Sequence, residues 1–201
     1  MAAPKIVSAE FILSAHRAQQ FPPGAHPEVA FLGRSNVGKS SLLNVLLGRR
    51  KLVRTSARPG CTRAVNFFLV NGRWNFVDLP GFGYAAVSRS LKESWGDLVL
   101  EYLGGRPNLA AVVFLQDGRR RVGPEELFLW EFLTARHRVV LPVLTKADKL
   151  KRGERARQLK QVVEALAHFG VRPEGLTWVS ASTGEGRDQL WNRLLACLGG
   201  P

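Results

Sequence analysis

The amino-acid sequence predicts a single α/β domain: a mostly parallel six-stranded sheet with one antiparallel edge strand and helices on both faces. Three observations predict it. Short β-rich runs alternate with helical patterns along the chain, the arrangement that builds a parallel sheet through crossover helices. Apolar runs such as residues 109–115 are continuous rather than alternating, as in strands covered on both faces. Asn71-Gly72 sits between two strand-like runs and is the strongest short hairpin signal, which adds one antiparallel pair.

Residues 28–32 read as a strand and 40–47 as a helix with a leucine-rich face. Residues 64–70 and 73–77 flank the Asn-Gly pair as antiparallel neighbours. Residues 88–103 are helical, with Ser88 able to cap the start. After the 109–115 strand, Pro124 with Glu125 and Glu126 opens a helix reaching about Ala135, because proline and acids suit a first turn. Strands at 139–144 and 176–179 alternate with helices at 153–169 and 188–198. Residues 6–13 are a candidate edge element, set off by the break at 24–27. Residues 1–20 therefore form an N-terminal extension, 21–198 the domain, and 199–201 a tail expected to fray.

A chain of 201 residues suits one core. At 45% hydrophobic and 22% charged it is neither disordered, collagen-like nor a coiled coil. No apolar stretch approaches the roughly 20 residues that cross a bilayer, and no secretory leader is visible. Cys61 and Cys197 are far apart and suggest neither a disulfide framework nor a zinc site. The expectation is a cytoplasmic monomer with no stable membrane association.

Charge points to a partner. Lys and Arg number 29 against 16 Asp and Glu, a net +13. Between Glu28 and Asp78 no acid occurs, while Arg34, Lys39, Arg49, Arg50, Lys51, Arg54, Arg58, Arg63 and Arg73 do. A second block, from Lys146 to Lys160, is diluted only by Asp148 and Glu154. Such runs can be plain solvated surface. The size of the excess favours a polyanion, and nucleic acid over a membrane, since no basic amphipathic helix with an exposed aromatic face is evident.

The first strand runs into Gly33-Arg34-Ser35-Asn36-Val37-Gly38-Lys39-Ser40, a full G-x-x-x-x-G-K-S match, with Ser41 directly after. The backbone N–H groups of such a loop cradle phosphates at a helix N-terminus. Lys39 would neutralise β and γ oxygens and the Ser40 hydroxyl would ligate magnesium. At the end of an adjacent strand, Asp78-Leu79-Pro80-Gly81 offers a carboxylate that can hold magnesium through water and a Gly81 N–H for a γ-phosphate. Thr145-Lys146-Ala147-Asp148 closes another strand. A carboxylate at Asp148 can accept from guanine N1–H and its 2-amino group, a donor pair that adenine lacks, and the Lys146 stem can cover the base. Ser180-Ala181-Ser182 follows the last strand, where the Ala181 N–H could donate to guanine O6. These elements all fall at strand C-terminal ends, the ligand edge of open α/β sheets. The predicted ligands are GTP and GDP.

The set of P-loop, D-x-x-G, T-K-x-D and S-A-x resembles the Ras-like translation-factor superclass of GTPases. The wording is most similar to the EngB (YihA or YsxC) family. The stretches that carry the resemblance are GRSNVGKSSLLN, RPGCTRAVNFF, VDLPGFGYAAVS, the 95–103 helix and LTKADKL, and it spans about residues 6 to 195. The resemblance implies a bacterial GTPase that assists assembly of the large ribosomal subunit, contacts ribosomal RNA or a pre-ribosomal particle, and is linked to growth, septation and cell division. It also implies that Thr62, after Gly60 in a flexible loop, is the switch threonine that reaches magnesium and γ-phosphate in the GTP state. Thr55 is the rival. Cys61, Arg63 and Phe82 depart from the family's pattern, at positions where the resemblance implies a basic residue, a glutamine and a tyrosine.

Phe82 also bears on catalysis. In Ras-like switches a glutamine directly after the D-x-x-G glycine orients the attacking water, and phenylalanine can neither donate nor accept. Slow hydrolysis is expected. Asn36 and Thr62 are the candidate catalytic groups. Asn36 either satisfies a loop hydrogen bond or, as in relatives with Asn there, helps hold a potassium ion in place of an arginine finger. Arg58 or Arg63 acting in cis is a further route. A different class of function, a nucleotide-dependent protein scaffold at the division site with little turnover, also fits Phe82. The tryptophans read as packing, the histidines lack metal-ligand spacing, and Asp117 with Arg119–Arg121 reads as either plain solvent-exposed surface or a phosphate-side or RNA-facing one.

Overall fold

The structure, a computed structural model, describes residues 3–49, 52–53, 64–83 and 89–200, with 89–96 described by their backbone alone. Its strands are β1 (Ala9–Ala15), β2 (Glu28–Gly33), β3 (Val65–Val70), β4 (Trp74–Asp78), β5 (Leu109–Asp117), β6 (Val140–Thr145) and β7 (Thr177–Trp178). Its helices are α1 (Lys39–Leu46), α2 (Arg89–Gly105), α3 (Pro124–Ala135), α4 (Arg152–Leu166) and α5 (Arg187–Cys197). The sheet runs β1-β3-β4-β2-β5-β6-β7.

The expected α/β architecture is present, with two corrections. Seven strands form the sheet among the described residues, because the 6–13 edge candidate is a strand, displaced to Ala9–Ala15. Residues just before it are held largely by one side chain: Val7 and Ser8 N–H donate to Asn71 Oδ1 and Asn71 Nδ2 donates to the Lys5 carbonyl, beside one backbone bond from Asn71 N–H to the Ser8 carbonyl. A bulge between Phe11 and Leu13 also breaks the two-residue alternation by which a strand is read. The second correction concerns direction. β3 pairs antiparallel with both β1 and β4, so it is the reversed strand, and β1 covers it at the edge.

The hairpin forms as its dipeptide dictates. Asn71 at φ 51° and Gly72 at φ 63° both take the left-handed conformation of a type I′ turn, closed by Arg73 N–H to the Val70 carbonyl at 3.0 Å. α3 begins at Pro124 with Glu126 reaching back to the Gly123 N–H at 3.0 Å. Ser88, the expected cap of α2, lies outside the described residues. At the far terminus the Gly200 N–H donates to Leu195 at 2.9 Å, tying the tail to α5, and Pro201 lies outside the described residues.

Helices cover both faces. Phe31, Phe76 and Trp191 pack with α1 and α5 on one side, and Phe67, Tyr102, Phe114 and Trp130 with α2, α3 and α4 on the other. The fully buried Glu28 at the start of β2 is held by Arg106 at 2.7 Å and by the Tyr102 hydroxyl at 2.8 Å, which fixes the end of α2 to the sheet. Burial, then the Glu28 charge, pushes the Tyr102 phenol well above its usual range. No helix among the described residues is long and apolar enough to cross a membrane. With β2, β4, β5 and β6 parallel, the loops after their C-terminal ends gather on one edge.

Candidate functional site

That edge begins where β2 ends. A Cβ on Gly33 would stand 2.8 Å from the Leu115 carbonyl and 2.9 Å from the Val37 side chain, so only glycine lets the loop turn there. Asn36 at φ 63° and Gly38 at φ 103° turn the backbone through left-handed conformations into α1. The N–H groups of Asn36, Gly38, Lys39 and Ser40 find no backbone acceptor among the described residues. They form a concave row of free donors at a helix N-terminus, an anion-binding arrangement.

The loop is stitched to the segment after β4. Ser35 N–H donates to the Phe82 carbonyl at 2.9 Å, and Phe82 N–H to Gly33 at 3.3 Å. Gly81 lies so close that a Cβ would meet Ser35 N at 2.9 Å. Arg34 reaches across: its guanidinium binds Glu125 at 2.7 Å and Glu126 at 3.4 Å on α3, donates to the Gly83 carbonyl at 3.4 Å, and lies 5.9 Å above the Phe82 ring. Lys39 Nζ stands 2.9 Å from Asp78 Oδ1, both nearly buried. That Oδ1 makes no hydrogen bond of good geometry among the described residues, so a buried carboxylate oxygen faces the loop with spare accepting capacity.

The second half of the edge lies after β6 and β7. Lys146, at φ 60°, donates from Nζ to the Asn36 carbonyl at 2.8 Å and to Asp117 Oδ2 at 2.8 Å. Thr145 Oγ1 donates to the Val37 carbonyl at 2.8 Å. Burial alone would raise the Asp117 carboxyl, but hydrogen bonds from Arg119 and Lys146 win and hold it well below the carboxylate range. Asp148 accepts from Ser180 Oγ at 2.7 Å and pairs with Lys149 at 3.1 Å. The Ser180 bond is the larger cause of its pKa falling to about 2. Ser182 Oγ lies 3.0 Å from Ser180 Oγ, and the Ala181 N–H has no acceptor among the described residues.

Gly33 to Ser41, Asp78 and Gly81 thus assemble at one end of the edge, and Thr145, Lys146, Asp148 and Ser180–Ser182 at the other, with Lys146 bridging them. Gly60 and Thr62, with Thr55, Arg58, Cys61 and Arg63, lie outside the described residues. Phe82 is 4% exposed and 6.2 Å from the Phe114 ring, a core residue rather than a solvent-facing one. Three contributions are not legible as motifs: Asp117 as the anchor of Lys146, Glu125 and Glu126 as the anchors of Arg34, and Asn44. The Asn44 side chain bonds both the N–H and the carbonyl of Val53, at 2.9 and 2.8 Å, and so fixes Val53 against α1. Its adjacency to the P-loop was the available signal.

A family model described as 50S ribosome-binding GTPase matches residues 28–146. The probable GTP-binding protein EngB of Geobacter sulfurreducens is 47% identical over 193 residues, covering 96% of this chain and 92% of the relative. The chain belongs to the EngB family of GTP-binding proteins. The EngB relative from Syntrophotalea carbinolica is 50% identical over 194 residues, with 96% and 92% covered. A crystal structure of a probable GTP-binding protein EngB superposes with a TM-score of 0.70 at 25% identity, covering 86% of this chain and 98% of that one. Era in complex with MgGDPNP and a segment of 16S ribosomal RNA gives 0.65 at 26% identity, covering 86% of this chain and 56% of that one. As a member of this family the chain is a GTPase.

Proposed function

We propose that this GTPase is a slow, nucleotide-dependent switch in assembly of the large ribosomal subunit, with consequences for growth and division. The observation that carries the nucleotide half is the edge itself: a row of free N–H donors and Lys39 at one end, and the Asp148 carboxylate beside the free Ala181 N–H at the other. The donors of Gly33 to Ser41 would take the phosphates, with Lys39 leaving Asp78 for the β and γ oxygens. Asp148 would accept from guanine N1–H and the 2-amino group, Ala181 would donate to O6, and Lys146 would cover the base.

Magnesium fits the donor set. The buried, incompletely bonded Asp78 Oδ1 suits a water on the ion, and the Ser40 hydroxyl and Thr62 would supply direct oxygens. When bound, the ion supplies charge on the phosphate oxygens. Asn36 is the candidate for a potassium site: its backbone carbonyl accepts from Lys146, and its side-chain amide makes no hydrogen bond among the described residues. Phe82, buried under Arg34, supports slow turnover without a partner.

The ribosomal half rests on the charge of +13 and on the description of the family. Co-sedimentation with ribosomal particles tests it, comparing a non-hydrolysable GTP analogue with GDP over a salt series. Analogue-dependent pelleting with large subunits, lost steeply with salt, is expected. Indifference to nucleotide would favour the scaffold reading, which the buried Phe82 keeps in play.

A further inference from the structure

We propose that the Arg119–Arg121 loop and the first half of α4 form a preformed docking surface for RNA backbone. The proposal rests on the ribosomal reading above and gives it a place on the molecule. The acid-free 29–77 stretch is the surface that composition suggests, yet its described members are largely committed. Arg34 is paired with Glu125 and Glu126, Lys39 with Asp78, Arg49 donates to the Val7 carbonyl, and Arg73 lies over Trp74. Arg50, Lys51, Arg54, Arg58 and Arg63 lie outside the described residues; among the described ones, uncommitted charge lies elsewhere. Arg120, Arg121, Lys151, Arg152 and Arg157 are exposed, and none has an acidic partner within ion-pair distance among the described residues. Glu154, in their midst, is turned to the Lys151 N–H at 2.7 Å.

The loop that carries Arg120 and Arg121 is braced. Gln116 Nε2 donates to the Arg120 and Arg121 carbonyls at 3.1 and 3.2 Å, Gln158 on α4 donates to the same Arg120 carbonyl, and Gly118 N–H donates to Thr145 at 3.0 Å. A fixed backbone presenting guanidinium groups binds phosphate with little ordering cost. The loop follows β5 and the α4 start follows β6, so the patch borders the end of the edge that holds Asp148.

A hollow of about 750 Å³ near Trp130 lies at the opposite end of the sheet and also carries arginines, including Arg172. What favours the α4 side for RNA is its uncommitted charge. In the larger hollow Arg138 donates to the Leu103 and Gly104 carbonyls and Arg193 to the Glu174 and Gly175 carbonyls. The α4 side adds a hollow of about 470 Å³ lined by Trp178, Leu150, Leu159 and Arg152, the last unpaired among the described residues, with Arg155 held by Glu185. An aromatic wall beside guanidinium groups suits an unstacked base, which an acidic peptide does not offer.

The test uses the full chain in two double variants, Arg120→Ala with Arg121→Ala, and Arg136→Ala with Arg172→Ala as an equal charge loss at the opposite end. Binding is measured to large subunits and to protein-free large-subunit RNA from about 50 to 200 mM salt, with fluorescent GDP affinity measured in parallel. The first variant is expected to lose about tenfold in both RNA-containing assays, with a salt slope shallower by about one to two, and to bind GDP as the wild type does. The second is expected to change less than about twofold. Equal losses in both variants, or none in the first, overturn the surface. Loss on particles with unchanged binding to protein-free RNA assigns the patch to a protein partner and also overturns it. If wild-type chain does not bind particles, the ribosomal reading fails, and protein-free RNA alone then decides the surface: no binding, or binding untouched by the first variant, overturns it.

Discussion

Asp117 holds the Lys146 ammonium at 2.8 Å, and that ammonium reaches the Asn36 carbonyl at the same distance. One lysine thereby couples the end of β5, the loop after β6 and the loop after β2. Replacing Asp117 by Asn weakens the clamp without changing its size. Guanine-nucleotide affinity is expected to fall about tenfold, some 1.4 kcal/mol, with GTP and GDP affected alike. Equilibrium titration with fluorescent GDP checks it, and unchanged affinity would show that Lys146 needs no anchor.

Lys39 and Asp78 make a second testable pair. Lys39→Ala is expected to abolish tight nucleotide binding and also to destabilise the nucleotide-free fold by about 3 kcal/mol, since it strands a buried carboxylate. Adding Asp78→Asn should recover much of the melting temperature but none of the binding. Retained micromolar affinity in Lys39→Ala would refute the phosphate role.

Phe82→Gln restores the residue type that positions water in Ras-like switches, yet here it places an amide in the core beside Phe114. The expected result is a loss of about 3 kcal/mol in stability with no gain in hydrolysis rate. Denaturant titration and single-turnover rates read the two effects separately. Faster hydrolysis would mean that this side chain leaves the core in the GTP state.

For Asn36, hydrolysis is expected to run several-fold faster in potassium than in sodium. Asn36→Gly keeps the left-handed backbone but removes the amide, and should retain nucleotide binding while losing the potassium preference. Equal wild-type rates in the two salts would remove the ion.

The Asp148 carboxyl, lowered to about 2 chiefly by Ser180, contributes stability that is present above its ordinary value of 3.8 and is lost as pH falls towards 2. Ser180→Ala should return its titration towards 3.8, followed by carboxyl-detected NMR. A titration that stays near 2 in this variant would assign the shift to Lys149 and Ser182.

Elements with their own punctuation were readable in advance. Pro124 with two glutamates marks α3 to the residue, Asn71-Gly72 marks the hairpin, and the Gly33 to Ser40 loop is marked by the glycines that close approach requires. β1 was less legible, because an edge strand with a bulge carries exposed Phe11 and Ile12 and does not alternate. The Asp117–Lys146 and Arg34–Glu125 contacts join loop residues after β6 and β2 to the end of β5 and to α3, and no spacing along the chain encodes them. Their visibility depends on strand order, which the motifs constrain only through the edge they share.

β1 has one more consequence, for biosynthesis. Ala9 pairs with Val70 and Ala15 with Val65, so this strand is made well before its partner and waits unpaired until the hairpin follows. If it is lost, β3 is left as an open ladder, the kind of surface on which nascent chains aggregate. The N-terminal strand, remote from the Asp148 end of the edge, thus covers a β3 ladder that stays open until the two strands meet.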